Sequence, residues 1–130
     1  MDNNFATVIN CMDGRVQLQV NEYISKKYGK KYIDTITLAG PCKIVSESKK
    51  DNIVKNLKFR IDVSVMKHKS EYIFIVGHTD CAGIKRSDQM QKEYLIDSVT
   101  KLKQWYPNTT VEAIWLDQDF EPCELRKGDL

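Results

Sequence analysis

The amino-acid sequence predicts an α/β fold: a central, mainly parallel sheet of about four strands in the order 2-1-3-4, with helices on both faces. Three observations predict it. Short β-branched runs alternate with segments of helical spacing along the chain. The strongest run, Tyr72 to Val76, shows no polar alternation, as expected of a strand covered on both sides. No repeat, low-complexity stretch or Pro/Gly/Ser linker divides the 130 residues, so residues 1–130 read as a single domain, with a polar tail, 117–130, left unassigned.

The elements follow in order. Phe5 to Asn10 is a short apolar run with Thr7, Val8 and Ile9, and predicts a buried strand. From Val16 to Tyr28 the spacing becomes helical, with Val16, Val20, Tyr23, Ile24 and Tyr28 on one face, and Gly29 supplies a left-handed cap. Tyr32 to Leu38 is again strand-like and ends at Gly40-Pro41. Val54, Leu57, Ile61 and Val65 set a helix over about Asp51 to Lys69. Tyr72 to Val76 is the third strand and stops at Gly77. Ser87 or Asp88 caps a helix that carries Met90, Tyr94, Leu95, Val99, Leu102 and Trp105, closed by Pro107 and Asn108. Val111 to Leu116 is the fourth strand.

Composition narrows the function. Twenty basic and 18 acidic side chains leave a net charge of +2, which points to neither nucleic acid nor membrane as a partner. The local lysine clusters, Lys26, Lys27, Lys30 and Lys31, then Lys49 and Lys50, read as solvated helix ends and loops. No stretch approaches the ~18 apolar residues of a membrane span. Met1-Asp2-Asn3-Asn4 has neither the positive flank nor the apolar run of a signal peptide. Four cysteines in a chain with a full core argue against a secreted disulfide scaffold and for a reducing cytoplasm.

Chemistry gathers at the predicted strand ends. Cys11 follows the first strand, His78 follows the third, and Cys81 comes three residues later. Ligands of parallel sheets bind where the strand order reverses, between the first and third strands here. Thiolate and neutral imidazole are the donors zinc prefers. Gly77 and Gly83 flank the His-x-x-Cys turn and are read as permitting it. Free cysteine also packs as a small apolar residue, and Asp13 with Arg15 also reads as a structural ion pair. His68, among lysines at a helix end, reads as solvated, Cys42 as a packed loop residue or a fourth ligand closing the site, and Cys123 as incidental. Trp105 and Trp115 read as core. Asp80 reads as a solvated turn residue or as a carboxylate orienting His78.

The segment Cys11-Met12-Asp13-Gly14-Arg15 resembles the Cys-x-Asp-x-Arg signature of beta-class carbonic anhydrases. Gly77-His78-Thr79-Asp80-Cys81-Ala82-Gly83 is similar to their second zinc-binding segment. The likeness spans roughly Phe5 to Asp117, including Val111 to Asp117 with Trp115. It implies that Cys11, His78 and Cys81 bind Zn2+ and that a water on the metal ionises near pH 7 to hydrate carbon dioxide to bicarbonate. It implies that Asp13 orients that water and that Arg15 holds Asp13 ionised. In some members the aspartate swings onto the metal, and Asp13 would do so here if its bond to Arg15 broke. Carbonyl sulfide and carbon disulfide are equally electrophilic linear substrates, and a noncatalytic zinc protein of the same fold is the rival reading. Departures are the missing N-terminal helical arm and Thr37-Leu38-Ala39-Gly40-Pro41, where many members have an Arg-Asn-Ala-Gly-Asn-like segment. A homodimer is implied by the resemblance alone.

Overall fold

The computed structural model describes residues 4–130. The reading of the first three residues therefore lies outside the described residues. Strand β1 (Phe5–Cys11) sits in the middle of the sheet, parallel to β2 (Tyr32–Leu38) on one side and β3 (Tyr72–His78) on the other. Strand β4 (Thr110–Leu116) continues the parallel set, and β5 (Pro122–Leu125) pairs antiparallel with β4, giving the order β2-β1-β3-β4-β5. The predicted order 2-1-3-4 is thus present. The tail left unassigned adds a fifth strand and a short 3-10 turn, Lys127–Asp129.

Helix α1 (Gln17–Tyr28) links β1 to β2, after a 3-10 turn at Gly14–Val16. Its last turn passes into Gly29 at φ 66, the left-handed cap expected there. Helices α2 (Pro41–Glu47) and α3 (Asn52–Asp62) link β2 to β3, and α4 (Asp88–Trp105) links β3 to β4. Right-handed crossovers put α1 on one face and α2 to α4 on the other, and α2 packs against α4. Two helices are capped by side chains: Asp51 accepts from the Val54 amide at 3.0 Å, and Ser87, one of the two caps read from the sequence, accepts from the Met90 amide at 3.2 Å.

Three local expectations are corrected. Gly40-Pro41 ends β2 but also starts α2. Proline at a first helical position lacks only an amide that would have no intrahelical partner. Cys42 is therefore a buried helix residue, not a loop residue. The helix expected to Lys69 is regular only to Asp62, then widens into a π turn over Val63–Lys67. Lys30 is buried rather than solvated, with its Nζ 5.2 Å from the Tyr72 ring centroid.

The core is continuous across the sheet. Val8, Ile9, Ile73, Phe74, Ile75, Val76 and Ile114 are fully enclosed, which matches their unbroken apolar runs. Trp115 belongs to this core, its indole nitrogen donating to Asp117 at 2.8 Å. Trp105 is half-exposed and carries Lys58 over its ring at 4.1 Å. Beneath β1 a polar chain is enclosed as well. Thr7 donates to Ser70 at 2.8 Å and contacts Ser64 at 2.5 Å, and Ser64 donates to Asp34 at 2.7 Å. His68 closes this chain on Asp34 at 2.7 Å while stacking on Phe5; its side chain stays partly solvated, as expected, but also has these two structural contacts. Among the described residues no helix is long and apolar enough to cross a membrane.

Candidate metal centre

Cys11 is the last residue of β1 and His78 the last of β3, so neighbouring parallel strands deliver both at the switch point. The chain then turns through Thr79 and Asp80 to bring Cys81 back. The donor atoms of Cys11, His78 and Cys81 lie within 4.8 Å of one another, and the two sulfurs are 3.8 Å apart. All three side chains are buried.

The turn is built differently from the expectation. Neither Gly77 nor Gly83 has positive φ; that conformation falls on Asp80, at φ 54. Gly83 serves close approach instead. A Cβ there would stand 2.6 Å from the Ala39 carbonyl carbon and 2.8 Å from the Gly40 nitrogen. Gly40, at φ 65, faces the Ile84 side chain, and a Cβ there would also stand 3.2 Å from the Gly83 carbonyl carbon. The Cys81 turn is thus pressed onto the β2–α2 connection, backbone against backbone. On the other side, Gln17 donates to the Cys11 carbonyl at 2.6 Å and to the Asp13 carbonyl at 3.3 Å, and Asn10 donates to the Val16 carbonyl at 3.1 Å. These bonds shape the loop that carries Cys11 and Asp13.

His78 Nδ1 lies 2.7 Å from the Thr79 carbonyl oxygen. A carbonyl only accepts, so Nδ1 carries the proton and Nε2 presents its lone pair. Nε2 is buried and has no hydrogen-bond partner. An enclosed imidazole lone pair facing two thiols is what a metal ligand set leaves behind. Asp80 does not orient the imidazole: its carboxylate is exposed and meets Arg15 at 3.3 Å. The orienting group is backbone.

The two sulfurs share their proton unequally. The neighbouring Cys81 thiol and His78 hold Cys11 well below an ordinary thiol despite burial, with the amides of Gly40 and Asp13 helping. The Cys11 sulfur and burial push Cys81 up. A divalent cation in place of the shared proton would let both ionise. Sulfur, nitrogen and sulfur are a donor set suited to zinc. Cys42 is not in the group; burial pushes its thiol up to about 12. Among the described residues no fourth Cys, His, Asp or Glu joins these three. Cys123 stands on β5, away from the cluster, its sulfur donating to the Trp115 carbonyl at 3.4 Å.

Asp13 stands beside the cluster rather than in it. Arg15 grips its carboxylate through Nε at 3.1 and 3.2 Å and through a terminal nitrogen at 2.7 Å, and the Arg15 amide adds a bond at 2.9 Å. This fork holds the Asp13 carboxyl down to about 2, so it is an anion at any neutral pH. Arg15 also reaches across to the Asp80 carbonyl at 3.2 Å and lies over the Phe120 ring, 4.6 Å from its centroid. Of these contacts, those of Phe120, Gln17 and the Thr79 carbonyl carry no signal in the sequence. Two act through ordinary polar bonds, and Phe120 lies in a polar stretch without periodicity.

Fold and site together define an α/β protein with a mainly parallel sheet and, at its switch point, a Cys-His-Cys group that could hold a metal ion. The family model described as "Putative carbonic anhydrase" matches residues 1–126, and the chain belongs to that family. Solved structures agree at the level of fold. One of two tetrameric beta-carbonic anhydrases from Sordaria macrospora aligns over 94% of this chain and 80% of its own, at 12% identity and TM-score 0.66. A carbonic anhydrase from Glaciozyma antarctica aligns over 94% of this chain and 81% of its own, at 15% identity and TM-score 0.65. A beta-carbonic anhydrase of Aspergillus fumigatus covers 97% and 91% at 12% identity and TM-score 0.64. No curated protein sequence matches the chain at a significant level. Family membership supports a lyase of the carbonate dehydratase type.

Proposed function

We propose that the protein catalyses the zinc-dependent, reversible hydration of carbon dioxide to bicarbonate. The observation that carries this is the combination of an orphaned, buried His78 Nε2 between two thiols with an ionised Asp13 held just outside the cluster. A purely structural zinc site needs no such carboxylate.

Cys11, His78 and Cys81 would hold the ion, which when bound supplies a water acidic enough to ionise near neutral pH. The Thr79 carbonyl keeps the His78 tautomer correct for ligation. Asp13, fixed by Arg15, accepts one hydrogen bond at the reacting face and so sets the direction of attack on the substrate carbon. Arg15 keeps that carboxylate ionised and turned toward itself, which supports an aspartate that orients rather than ligates. A homodimeric, cytoplasmic protein goes with this reading: the Sordaria macrospora relatives are tetrameric, and four free cysteines suit a reducing compartment.

The test is stopped-flow hydration on zinc-loaded protein between pH 7 and 9. Asp13→Ala should lose about 100-fold or more in rate while retaining one zinc per chain. Wild-type protein with zinc bound and no rate above buffer anywhere in that range would reject the assignment.

A further inference from the structure

The loop between β4 and β5 reaches the metal centre from the tail of the chain. It is a built loop. The Phe120 amide donates to the Asp117 carbonyl at 2.8 Å, Asp119 accepts from the Glu121 amide at 3.0 Å, and Asp117 is held by the Trp115 indole. Phe120 itself takes φ 54, a conformation costly for a residue with a bulky side chain. Its ring is spent on two contacts. One face carries the Arg15 guanidinium at 4.6 Å, and the His78 ring lies 6.2 Å away, tilted by 46°.

Arg15 is therefore held from three separate segments. Asp13 holds it from its own loop, Asp80 from the Cys81 turn, and Phe120 from the β4–β5 loop. The first two contacts are polar and, on Arg15's side, 47% exposed, so water competes for them. The aromatic face restricts the guanidinium plane without offering water a hydrogen bond. We propose that Phe120 is a positioning residue of the metal centre: it fixes Arg15, and through it Asp13, and it walls the ligand cluster on the imidazole side. This rests on the zinc reading of Cys11, His78 and Cys81.

Three substitutions separate the parts of this role, all carrying the same backbone cost at φ 54. Phe120→Tyr keeps the aromatic face, Phe120→Leu keeps apolar bulk without it, and Phe120→Ala removes both. Zinc content should stay at one per chain in all three. The kcat of Phe120→Leu and Phe120→Ala should fall roughly two- to fivefold with KM unchanged, as expected for one exposed cation–π contact, and Phe120→Tyr should restore it. In metal-free protein, iodoacetamide should label Cys11 and Cys81 severalfold faster in Phe120→Ala, but not in Phe120→Leu or Phe120→Tyr. Wild-type kcat in Phe120→Leu overturns the grip on Arg15, and wild-type labelling in Phe120→Ala overturns the wall. If wild-type protein hydrates no carbon dioxide, the functional reading fails, while the labelling contrast still decides the place of Phe120.

Discussion

The close approach of Gly83 to the β2–α2 connection makes Gly83→Ala a sharp test of how the metal centre is assembled. The added Cβ would stand 2.6 and 2.8 Å from the Ala39 carbonyl carbon and oxygen and 2.8 Å from the Gly40 nitrogen. All three are main-chain atoms, so no side chain can rotate away. Two loops must separate by on the order of 1 Å to reach ordinary contact distance. Overpacking of this kind costs about 1–3 kcal/mol or somewhat more. Alanine also restricts the unfolded chain, which returns about 0.4–1 kcal/mol, because Gly83 does not use positive φ. The net loss is about 1–2 kcal/mol, or roughly 3–10 °C in Tm for a domain of this size. Thermal unfolding followed by circular dichroism measures it, with Gly14→Ala as the control, since nothing lies within 4 Å of that position. Zinc affinity should fall with stability, because the displaced turn carries Cys81. A Gly83→Ala melting point within about 2 °C of wild type, at unchanged zinc affinity, would refute the reasoning.

Two more outcomes follow from other parts of the structure. Glu124 accepts from Lys27, Tyr28 and Arg126, which together hold its carboxyl down to about 2 against an ordinary 4.5. A depressed folded pKa contributes stability that is fully present above pH 4.5 and is lost as pH falls toward 2. The Tm gap between wild type and Glu124→Gln, about 3 °C at pH 6, should therefore close over that window in a pH series of melts. Cys42→Ala should lower stability by about 1 kcal/mol through lost packing while leaving one zinc per chain, whereas Cys11→Ala should bind none, as read by metal analysis after dialysis.

Much of this architecture is legible because its signals are long or chemically rare. The four parallel strands and helices α1 and α4 carry apolar patterns that burial explains, and their ends fall within two residues of expectation. Cys11, His78 and Cys81 stand out because metal donors seldom fall at two strand ends together. What escapes the sequence is what depends on partners. Helix α2 is one short turn pair behind a Gly-Pro step that reads equally as a stop. Strand β5 is four residues of mixed polarity and becomes a strand only because β4 offers its free edge. The group that orients His78 is a peptide carbonyl, which has no residue signature at all. The role of Gly83 is legible as a glycine but not as a contact, since Ala39 lies 44 positions away.

Cys11 and Cys81 are 70 positions apart in the chain, and a shared ion would join them as firmly as a covalent staple. Ligation closes a loop containing two of the five strands, so a cation that recognises only the folded arrangement must also shift the folding equilibrium. Free ion at a thousand times its dissociation constant would add about 4 kcal/mol. Occupancy and resistance to unfolding are then two readings of one quantity, and a chelator would act on this protein as a mild denaturant.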